Sequence, residues 1–319
     1  MRWNSLVTLA CCVLLPGAAL ADSLTERLAK TKQAAVMQIA CGKLDKANCA
    51  VVLPRIAEQA SGAGLTLKPL ESEGSFESAT GVCLGLAEGA IVQRDAADLR
   101  ARRPDCAGKI DGVGGALYPY YGFLVVGANA PYDTLEKLVD HTKEGQTLSI
   151  AVGASGSGGA VTFGYILRAR PEWQRAIQTK DYGLETALQR VRDGNLDGFF
   201  VMDAPNSPLI DKIANEKDAH GRAVFQFADV RPGKPFYKLT DWRGRPMYQE
   251  AVVTPGFFRS TKSVSVDAVV IVGNEFREDR AKNGPASVEA LADAIERAEP
   301  SILAETKTPK DWMAAVKRK

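Results

Sequence analysis

The sequence predicts an α/β protein built as two lobes, with a ligand cleft between them and two hinge strands joining them. Strands and helices alternate along the first third of the chain, and the same alternation begins again near its middle. Two long apolar segments, 113–126 and 265–273, stand where the chain would leave the first lobe and return to it. Two crossings between α/β lobes make a hinged cleft, where small-molecule sites usually lie. We expect lobe 1 to comprise residues 22–122 and 265–319, and lobe 2 residues 123–264.

The first lobe begins with short apolar segments that alternate with helical ones. Strands are predicted at 36–40, 65–70 and 90–92, and helices at 48–60 and 75–88. Ser75 is placed to cap the second helix, and Gly89 to end it. This β-α-β-α-β order implies a parallel sheet, because parallel neighbours need helical crossovers.

The apolar segment 113–126 contains Pro119, which cannot donate to a sheet ladder. A continuous central strand is therefore excluded there, and we expect a strand that leaves lobe 1, bends and enters lobe 2. The elements predicted for lobe 2 are helices at 134–142, 160–170, 184–192 and 208–214 and strands at 147–152, 176–179, 196–202 and 224–227.

The last part of the chain divides into an irregular stretch and a return to lobe 1. Residues 228–262 hold four prolines and several aromatic residues, so we expect irregular structure there. The apolar run 265–273 predicts a strand that carries the chain back to lobe 1. Two helical segments, 287–297 and 310–317, are predicted to finish the chain.

Residues 1–21 have the three parts of a secretory signal. Arg2 gives a positive start, 6–15 is an apolar run, and 19–21 is a small-x-small cleavage site. The run is well short of the roughly 20 residues that a membrane-spanning helix needs. A retained anchor, or a lipoprotein attached through Cys11 or Cys12, is the alternative, although both cysteines lie inside the run. We expect a periplasmic protein released by cleavage of this signal peptide.

The charge balance of the sequence argues against a nucleic-acid partner. Lys and Arg number 40 against 38 Asp and Glu, a net charge of +2, so the protein lacks the strong positive potential that attracts nucleic acid.

The cysteine content indicates disulfides. Four cysteines follow the signal, and an even number in an oxidising compartment suggests two disulfides. Of the three connectivities, the local pairs Cys41–Cys49 and Cys83–Cys106 are favoured. A metal site is the alternative, but the spacing lacks C-x-x-C and only two histidines could assist.

A glycine- and serine-rich loop, 153–159, lies between a predicted strand and a predicted helix. It lacks the Lys of a Walker P-loop, and neither of its serines has the G-x-S-x-G pattern of a nucleophile elbow. It does fit an anion cradle, because backbone N–H groups and the helix dipole favour negative charge at a helix start. A flexible turn without a ligand is the alternative. The predicted ligand contacts in this loop are Ser155, Gly156, Ser157 and Gly158.

A second helix start of this kind, 71–75, is predicted on lobe 1, and the two could hold opposite ends of a small acid. Polar residues at the carboxyl ends of strands also lie at the cleft in open α/β sheets. For Ser75 and Asp95 a role as helix cap stays open, and for Tyr118 a role in packing between the lobes. The further predicted ligand contacts are Gly42, Lys43, Glu73, Gly74, Ser75, Gln93, Asp95, Tyr118, Asp203 and Pro205.

The sequence lacks the usual arrangements of catalytic residues, and we expect neither enzyme activity nor a cofactor. His141 lies in a predicted helix and His220 in a polar loop, so they make no credible triad or metal cluster. A serine hydrolase that uses Ser157 with Lys43 is the catalytic alternative.

Several segments between residues 36 and 275 follow the order of a known receptor family. They are Glu73-Gly74-Ser75, Gln93-Arg94-Asp95-Ala96-Ala97, Ala116-Leu117-Tyr118-Pro119, Leu135-Glu136-Lys137-Leu138, Ser149-Ile150-Ala151-Val152-Gly153, the loop with Ser155, Ser157 and Gly158, and Leu196-Asp197-Gly198-Phe199-Phe200 leading to Pro205. In this order the chain resembles the TAXI branch of the solute receptors of tripartite ATP-independent periplasmic (TRAP) transporters, which have the type II periplasmic binding fold.

The resemblance implies a periplasmic protein that captures a small carboxylate and delivers it to the permease subunits of a membrane transporter. We expect this protein to be a monomer. A sensor or scaffold that keeps the fold and reports to a signalling partner is the alternative. The chain departs from the family at 41–49, where the family usually carries a glycine- and threonine-rich loop with a tyrosine. Part of the ligand shell must therefore differ. The resemblance does not account for residues 228–262 either.

Overall fold

The computed structural model of the protein describes residues 35–142, 146–204, 207–255 and 260–308. The predicted signal peptide, Pro205 and the predicted helix 310–317 lie outside these residues. The strands are β1 (Ala35–Ala40), β2 (Leu65–Leu70), β3 (Gly89–Gln93), β4 (Ile110–Gly127), β5 (Leu148–Ala151), β6 (Ile177–Lys180), β7 (Gly198–Asp203), β8 (Phe225–Ala228), β9 (Tyr248–Val253) and β10 (Thr261–Gly273). The helices are α1 (Leu53–Ser61), which follows a π-helical turn at Asn48–Val52, α2 (Ser75–Cys83), α3 (Arg94–Ala101), α4 (Leu135–Asp140), α5 (Gly158–Ala169), α6 (Pro171–Ala176), α7 (Leu184–Arg192), α8 (Pro208–Asn215), α9 (Lys234–Tyr237), α10 (Asn274–Glu278) and α11 (Gly284–Glu305).

The strands form one mixed sheet in the order β2-β1-β3-β10-β4-β7-β5-β6, with β8 added on β4 and β9 on β10. In lobe 1, β1 is parallel to both β2 and β3. In lobe 2, β5 is parallel to both β6 and β7. β4 and β10 lie between these two sets and pair antiparallel with each other. The predicted α/β fold of two lobes is therefore confirmed.

Lobe 1 follows the predicted alternation because its apolar residues repeat with the period of each element. α1 buries Leu53, Ile56 and Ala60, which share one helical face, and this helix packs against α11. α2 ends at Cys83 rather than at residue 88, because Gly85, with a φ of 70°, turns the chain towards β3. α11 is longer at both ends than the predicted helix 287–297.

The helix α3 is one that the apolar pattern does not reveal. Four of its eight residues, Arg94, Asp95, Asp98 and Arg100, are charged and yet buried. Each is hydrogen-bonded or ion-paired inside the protein; Arg94, for example, lies 2.7 Å from a carboxylate oxygen of Asp267. Because charged residues at this density are typical of an exposed segment, the sequence indicates no buried helix here.

The strand β4 is 18 residues long and passes through both lobes. It pairs with β10 in lobe 1 and, from Tyr121 onwards, with β7 in lobe 2. The prediction that Pro119 excludes a continuous strand was wrong. Pro119 lies opposite Asp267, beside a register irregularity in the ladder, where a missing N–H is tolerated. β10 likewise pairs with β9 and with β3, so these two strands are the hinge crossings that the sequence predicts.

Lobe 2 contains all the helices and strands that its sequence predicts. α5 begins at Gly158, two residues before the predicted start, and the short helix α6 was not predicted. The expectation of irregular structure for 228–262 was wrong in part, because this stretch contains α9 and β9. Pro246 precedes β9 and Pro255 follows it, so neither proline interrupts the pairing of β9 with β10.

Residues 238–247, which we call the crossing segment, run from lobe 2 across the surface of α3 in lobe 1. The Arg94 guanidinium donates to the carbonyl oxygen of Pro246 at 2.8 Å, and that of Arg102 donates to Thr240 at 3.0 Å. The segment therefore joins the two lobes a third time, without being part of the sheet.

Both favoured disulfide pairs are present. Cys41 and Cys49 are bonded with 5.2 Å between their Cα atoms, and Cys83 and Cys106 with 5.7 Å. The first closes the loop after β1, and the second connects the end of α2 to the turn after α3.

Removing the Cys83–Cys106 bond should destabilise the fold. The bond spans 23 residues, and the entropy that such a loop gains in the unfolded chain corresponds to about 3 kcal/mol. We expect Cys83→Ser with Cys106→Ser to lower the free energy of unfolding by about this amount, as measured by urea denaturation under oxidising conditions. An unchanged unfolding midpoint would contradict the prediction.

Candidate ligand-binding site

A cleft of about 400 Å³ opens between the lobes where α2 and α5 begin. Ser75, the first residue of α2, and Ser157, which precedes α5, both line it. The two helix starts touch each other, because the N–H of Phe76 donates to the carbonyl oxygen of Gly156 at 3.4 Å. The lobes are therefore in contact in this structure. The predicted ligand contacts that line the cleft are Gly42, Lys43, Glu73, Gly74, Ser75, Gln93, Ser157, Gly158 and Asp203.

The serine hydroxyls at the two helix starts are already used within the protein. The Ser157 hydroxyl donates to Val152 O at 3.2 Å and accepts from the N–H of Ala160 at 3.3 Å, so it caps α5. The Ser75 hydroxyl accepts from the N–H of Gln93 at 3.1 Å, and the N-cap position of α2 belongs to Gly74. The hydroxyls thus position the helix starts.

The groups left for an anion are the first N–H groups of each helix, which have no acceptor within the helix itself. At α2 this is the N–H of Ser75, and at α5 those of Gly158 and Gly159; all three residues line the cleft. The positive end of each helix dipole lies at the same place. Two helix starts in one cleft therefore provide a site for negative charge from two directions.

Glycines at the start of α5 allow the lobes to approach closely. A Cβ on Gly158 would lie 1.5 Å from the side-chain oxygen of Gln93, which belongs to lobe 1. A Cβ on Gly159 would lie 2.8 Å from the backbone oxygen of Val152. Any larger residue would therefore push into the opposite wall or into the backbone that follows β5.

The wall of lobe 1 contains a buried amide and two tyrosines. The side-chain amide of Asn48 donates to Ile91 O at 3.3 Å, and its oxygen accepts from the hydroxyls of Tyr118 at 2.7 Å and Tyr120 at 3.1 Å. Burial raises the pKa of Tyr120 to about 12 and holds the pKa of Tyr118 well above its usual value, so both hydroxyls stay neutral. Tyr120 and Asn48 line the cleft, whereas Tyr118 is fully buried behind them.

The predicted ligand contacts included Tyr118 rather than Tyr120, and they did not include Asn48. The sequence position of each missed residue could have indicated that it lies at the cleft. Asn48 follows the carboxyl end of β1, the position where polar residues face the cleft, and Tyr120 is two residues from Tyr118 on the same face of β4.

The charged residues of the cleft balance one another. Lys43, whose side chain is partly exposed, forms an ion pair with Glu73, whose side chain is largely exposed. Asp203, at the end of β7, is mostly buried, and burial raises its pKa although it accepts from the hydroxyl of Ser207 at 2.8 Å. Lys46 also lines the cleft. A ligand would therefore meet an acceptor at Asp203 as well as donors at the helix starts.

Asp95 lies behind the cleft rather than on its surface. It is fully buried and accepts from the hydroxyls of Thr162 at 2.5 Å and Tyr248 at 2.8 Å. Its other oxygen lies 3.4 Å from the amide nitrogen of Gln93 and accepts from the N–H of Ala96. Burial raises its pKa to about 6, despite these hydrogen bonds. The carboxylate connects α3 of lobe 1 with α5 and β9.

The remaining predicted contacts lie elsewhere. Ser155 is exposed and does not line the cleft, and Gly156 contacts α2 through its backbone. Over the residues that the structure describes, no three His, Cys, Asp or Glu side chains are grouped as metal ligands. In the same part of the chain no helix has the length and apolar character to cross a membrane. The Ser157 hydroxyl donates to Val152 O, and the Lys43 ammonium forms an ion pair with Glu73.

No protein-family model and no curated protein matches the sequence. Among solved structures, the chain is similar to a periplasmic sulfonate-binding protein of an ABC transporter from Methylobacillus flagellatus, with a TM-score of 0.51 and 15% identity over 90% of this chain and 77% of that one. It is also similar to a Candida albicans protein described as having the generic periplasmic binding protein fold, with a TM-score of 0.50 and 10% identity over 85% of this chain and 74% of that one. The chain has the two-lobed type II periplasmic binding protein fold.

Proposed function

We propose that the protein is a periplasmic solute-binding protein that holds a small carboxylate between its lobes and delivers it to a membrane permease. The observation that supports this most directly is that Ser75 and Ser157, at helix starts on opposite lobes, line one cleft. A cleft of about 400 Å³ has the size of a small-metabolite site. Closure of the lobes around a solute would let a permease distinguish a loaded receptor from an empty one.

The ligand carries a donor as well as an anionic group. The N–H groups of Ser75, Gly158 and Gly159 favour the anion. Asp203 has two oxygens, each of which accepts one hydrogen bond from the protein and has capacity for another. A donor on the ligand would stabilise this buried carboxylate. A hydroxy acid or an amino acid meets both requirements.

The cellular setting is proposed from several observations. Two disulfides agree with an oxidising compartment, and residues 1–21 have the pattern of a cleavable signal peptide. The similarity to a sulfonate-binding protein of an ABC transporter favours a transport role, and the order of motifs favours a TRAP permease as the partner. We propose that the receptor is monomeric and is not an enzyme.

Ligand screening with two substitutions at one position tests the site. A thermal-shift screen of carboxylates and sulfonates should find a ligand that stabilises the protein, by about 2.7 kcal/mol at a hundredfold excess over its Kd. Ser75→Pro removes the backbone N–H at a helix position where proline is tolerated, and Ser75→Ala removes only the hydroxyl. We expect Ser75→Pro to weaken binding about tenfold or more relative to Ser75→Ala in calorimetry.

Two results would overturn this proposal. If no small acid stabilises the protein, the cleft does not bind this class of solute. If Ser75→Pro and Ser75→Ala bind equally well, the start of α2 does not contact the anion.

A further inference from the structure

A second concave surface lies beside the carboxyl ends of α3 and α5, away from the cleft. This groove has a volume of about 580 Å³. Its walls come from the end of α3 in lobe 1, from α5 in lobe 2 and from the crossing segment. The residues that line it are Asp98, Leu99, Arg102, Arg103, Pro104, Tyr165, Arg168, Lys238, Leu239, Thr240 and Met247.

The rim of this groove is cationic. Arg102, Arg103, Arg168 and Lys238 are exposed, whereas the one acidic residue of the lining, Asp98, is buried and bonded to Arg102. Of the four cations, only Arg102 forms a salt bridge to a carboxylate within the described part of the chain. The groove therefore has an excess of positive charge on a protein whose net charge is only +2.

Aromatic rings rather than carboxylates hold two of these cations in place. The Arg168 guanidinium lies 3.9 Å from the centre of the Tyr165 ring, and that of Arg103 lies 4.9 Å from the centre of the Phe76 ring. The Tyr165 hydroxyl donates to Asp98 at 2.5 Å, which fixes the ring. The guanidinium N–H groups are thus positioned without being neutralised, and they remain available to an incoming acid.

The floor of the groove is apolar. Leu99, Leu239 and Met247 pack into the core cluster of lobe 2 beneath the cationic rim. An apolar centre with a polar rim is the usual arrangement of a protein–protein interface. A flat bilayer surface could not reach the floor of a concave groove, whereas a peptide segment could.

We propose that this groove is the docking site for an acidic, partly apolar segment of a protein partner. Because its walls belong to both lobes, a bound segment would contact both at once and would respond to their relative position. The proposal goes beyond the solute-binding function and does not depend on which solute fills the cleft.

A labelled peptide tests the groove directly. We expect a short fluorescein-labelled peptide of alternating Glu and Leu to bind the full protein at low ionic strength in fluorescence anisotropy. Arg103→Glu with Arg168→Glu should lower the affinity about tenfold or more. Lys238→Glu alone should also lower the affinity. This variant changes an exposed side chain without an aromatic contact, so its effect would remain interpretable if the double variant misfolded.

A matched charge reversal away from the groove is the control. Lys68→Glu with Lys217→Glu makes the same change in net charge at exposed sites and should alter the affinity less than about twofold. Absence of peptide binding, or an equal loss in both pairs of variants, would overturn the proposal. Binding of phosphatidylglycerol vesicles that depends on Arg103 and Arg168, without peptide binding, would overturn it in favour of a membrane surface.

Discussion

Gly158→Ala is expected to weaken ligand binding about 100-fold, which corresponds to about 2.7 kcal/mol. The added methyl group would lie 1.5 Å from the side-chain oxygen of Gln93 and 2.5 Å from its amide carbon. Gln93 is buried and held between Asp95 and Thr162, so it cannot move aside without losing these contacts. The lobes would then stay apart, and the start of α5 would no longer reach a ligand that α2 holds. Calorimetry with the ligand found by screening measures the loss.

Gly164→Ala is the matched control for this substitution. Gly164 lies on the same helix, and a Cβ there would meet no atom within 4 Å. Alanine is the better helix former at both positions, so α5 is preserved in both variants. We expect Gly164→Ala to bind as the wild type does. Equal affinity of the two variants would show that contact between Gly158 and Gln93 is not needed for binding.

Asp95→Asn is expected to change how the stability of the protein depends on pH. In the unfolded chain the carboxyl titrates near its usual value of 3.8, whereas in the folded protein burial raises its pKa to about 6. Below about pH 3 the group is largely protonated in both states. As the pH rises towards 6, the unfolded chain releases this proton first. The stability that the group contributes is therefore lost across this window, by about 3 kcal/mol in total.

Urea denaturation between pH 3 and pH 7 tests this expectation. Relative to the wild type, Asp95→Asn should gain about 3 kcal/mol across that range, because the amide stays neutral in both states. Asp95→Ala should be destabilised at both ends, because the hydroxyls of Thr162 and Tyr248 lose their acceptor.

An exposed aspartate provides the control. A hydrogen bond from Arg100 lowers the pKa of Asp105, so its stabilising contribution is present at pH 7 and is lost as the pH falls. Asp105→Asn should therefore change the pH dependence in the opposite direction to Asp95→Asn. Parallel stability curves for the wild type and Asp95→Asn would contradict the role given to Asp95.

Local patterns were enough to predict most of the elements, because apolar residues in a strand or an amphipathic helix repeat with a regular period. They predicted both disulfide pairs and both helix starts at the cleft. The wrong and missed predictions have one physical cause. A residue type indicates an exposed or a buried environment on average, but partners distant in the sequence can place that residue in the other one. The charged residues of α3 can be buried because β10 supplies an ion-pair partner and α5 and the crossing segment supply hydrogen-bond partners.

The candidate site could be predicted in outline only. Parallel strands place their carboxyl ends at one edge, so Gln93 and Asp203 were expected at the cleft, and both line it. Tyr118 and Tyr120 lie on one face of β4, and the packing of lobe 1 decides which of them reaches the cleft. For that reason Tyr118 and Tyr120 could not be told apart. Likewise, Asp95 follows Gln93 closely, but α3 turns it into the interior.

The Cys41–Cys49 bond has a consequence for the energetics of recognition. It closes a small ring that includes Gly42, Lys43 and Asn48, all of which line the cleft. The ring loses most of its conformational entropy when the chain folds, so little more is lost when a solute binds. More of the interaction energy then remains to discriminate between similar solutes. Reduction of this bond should therefore decrease the difference in affinity between similar solutes under conditions in which the protein is still folded.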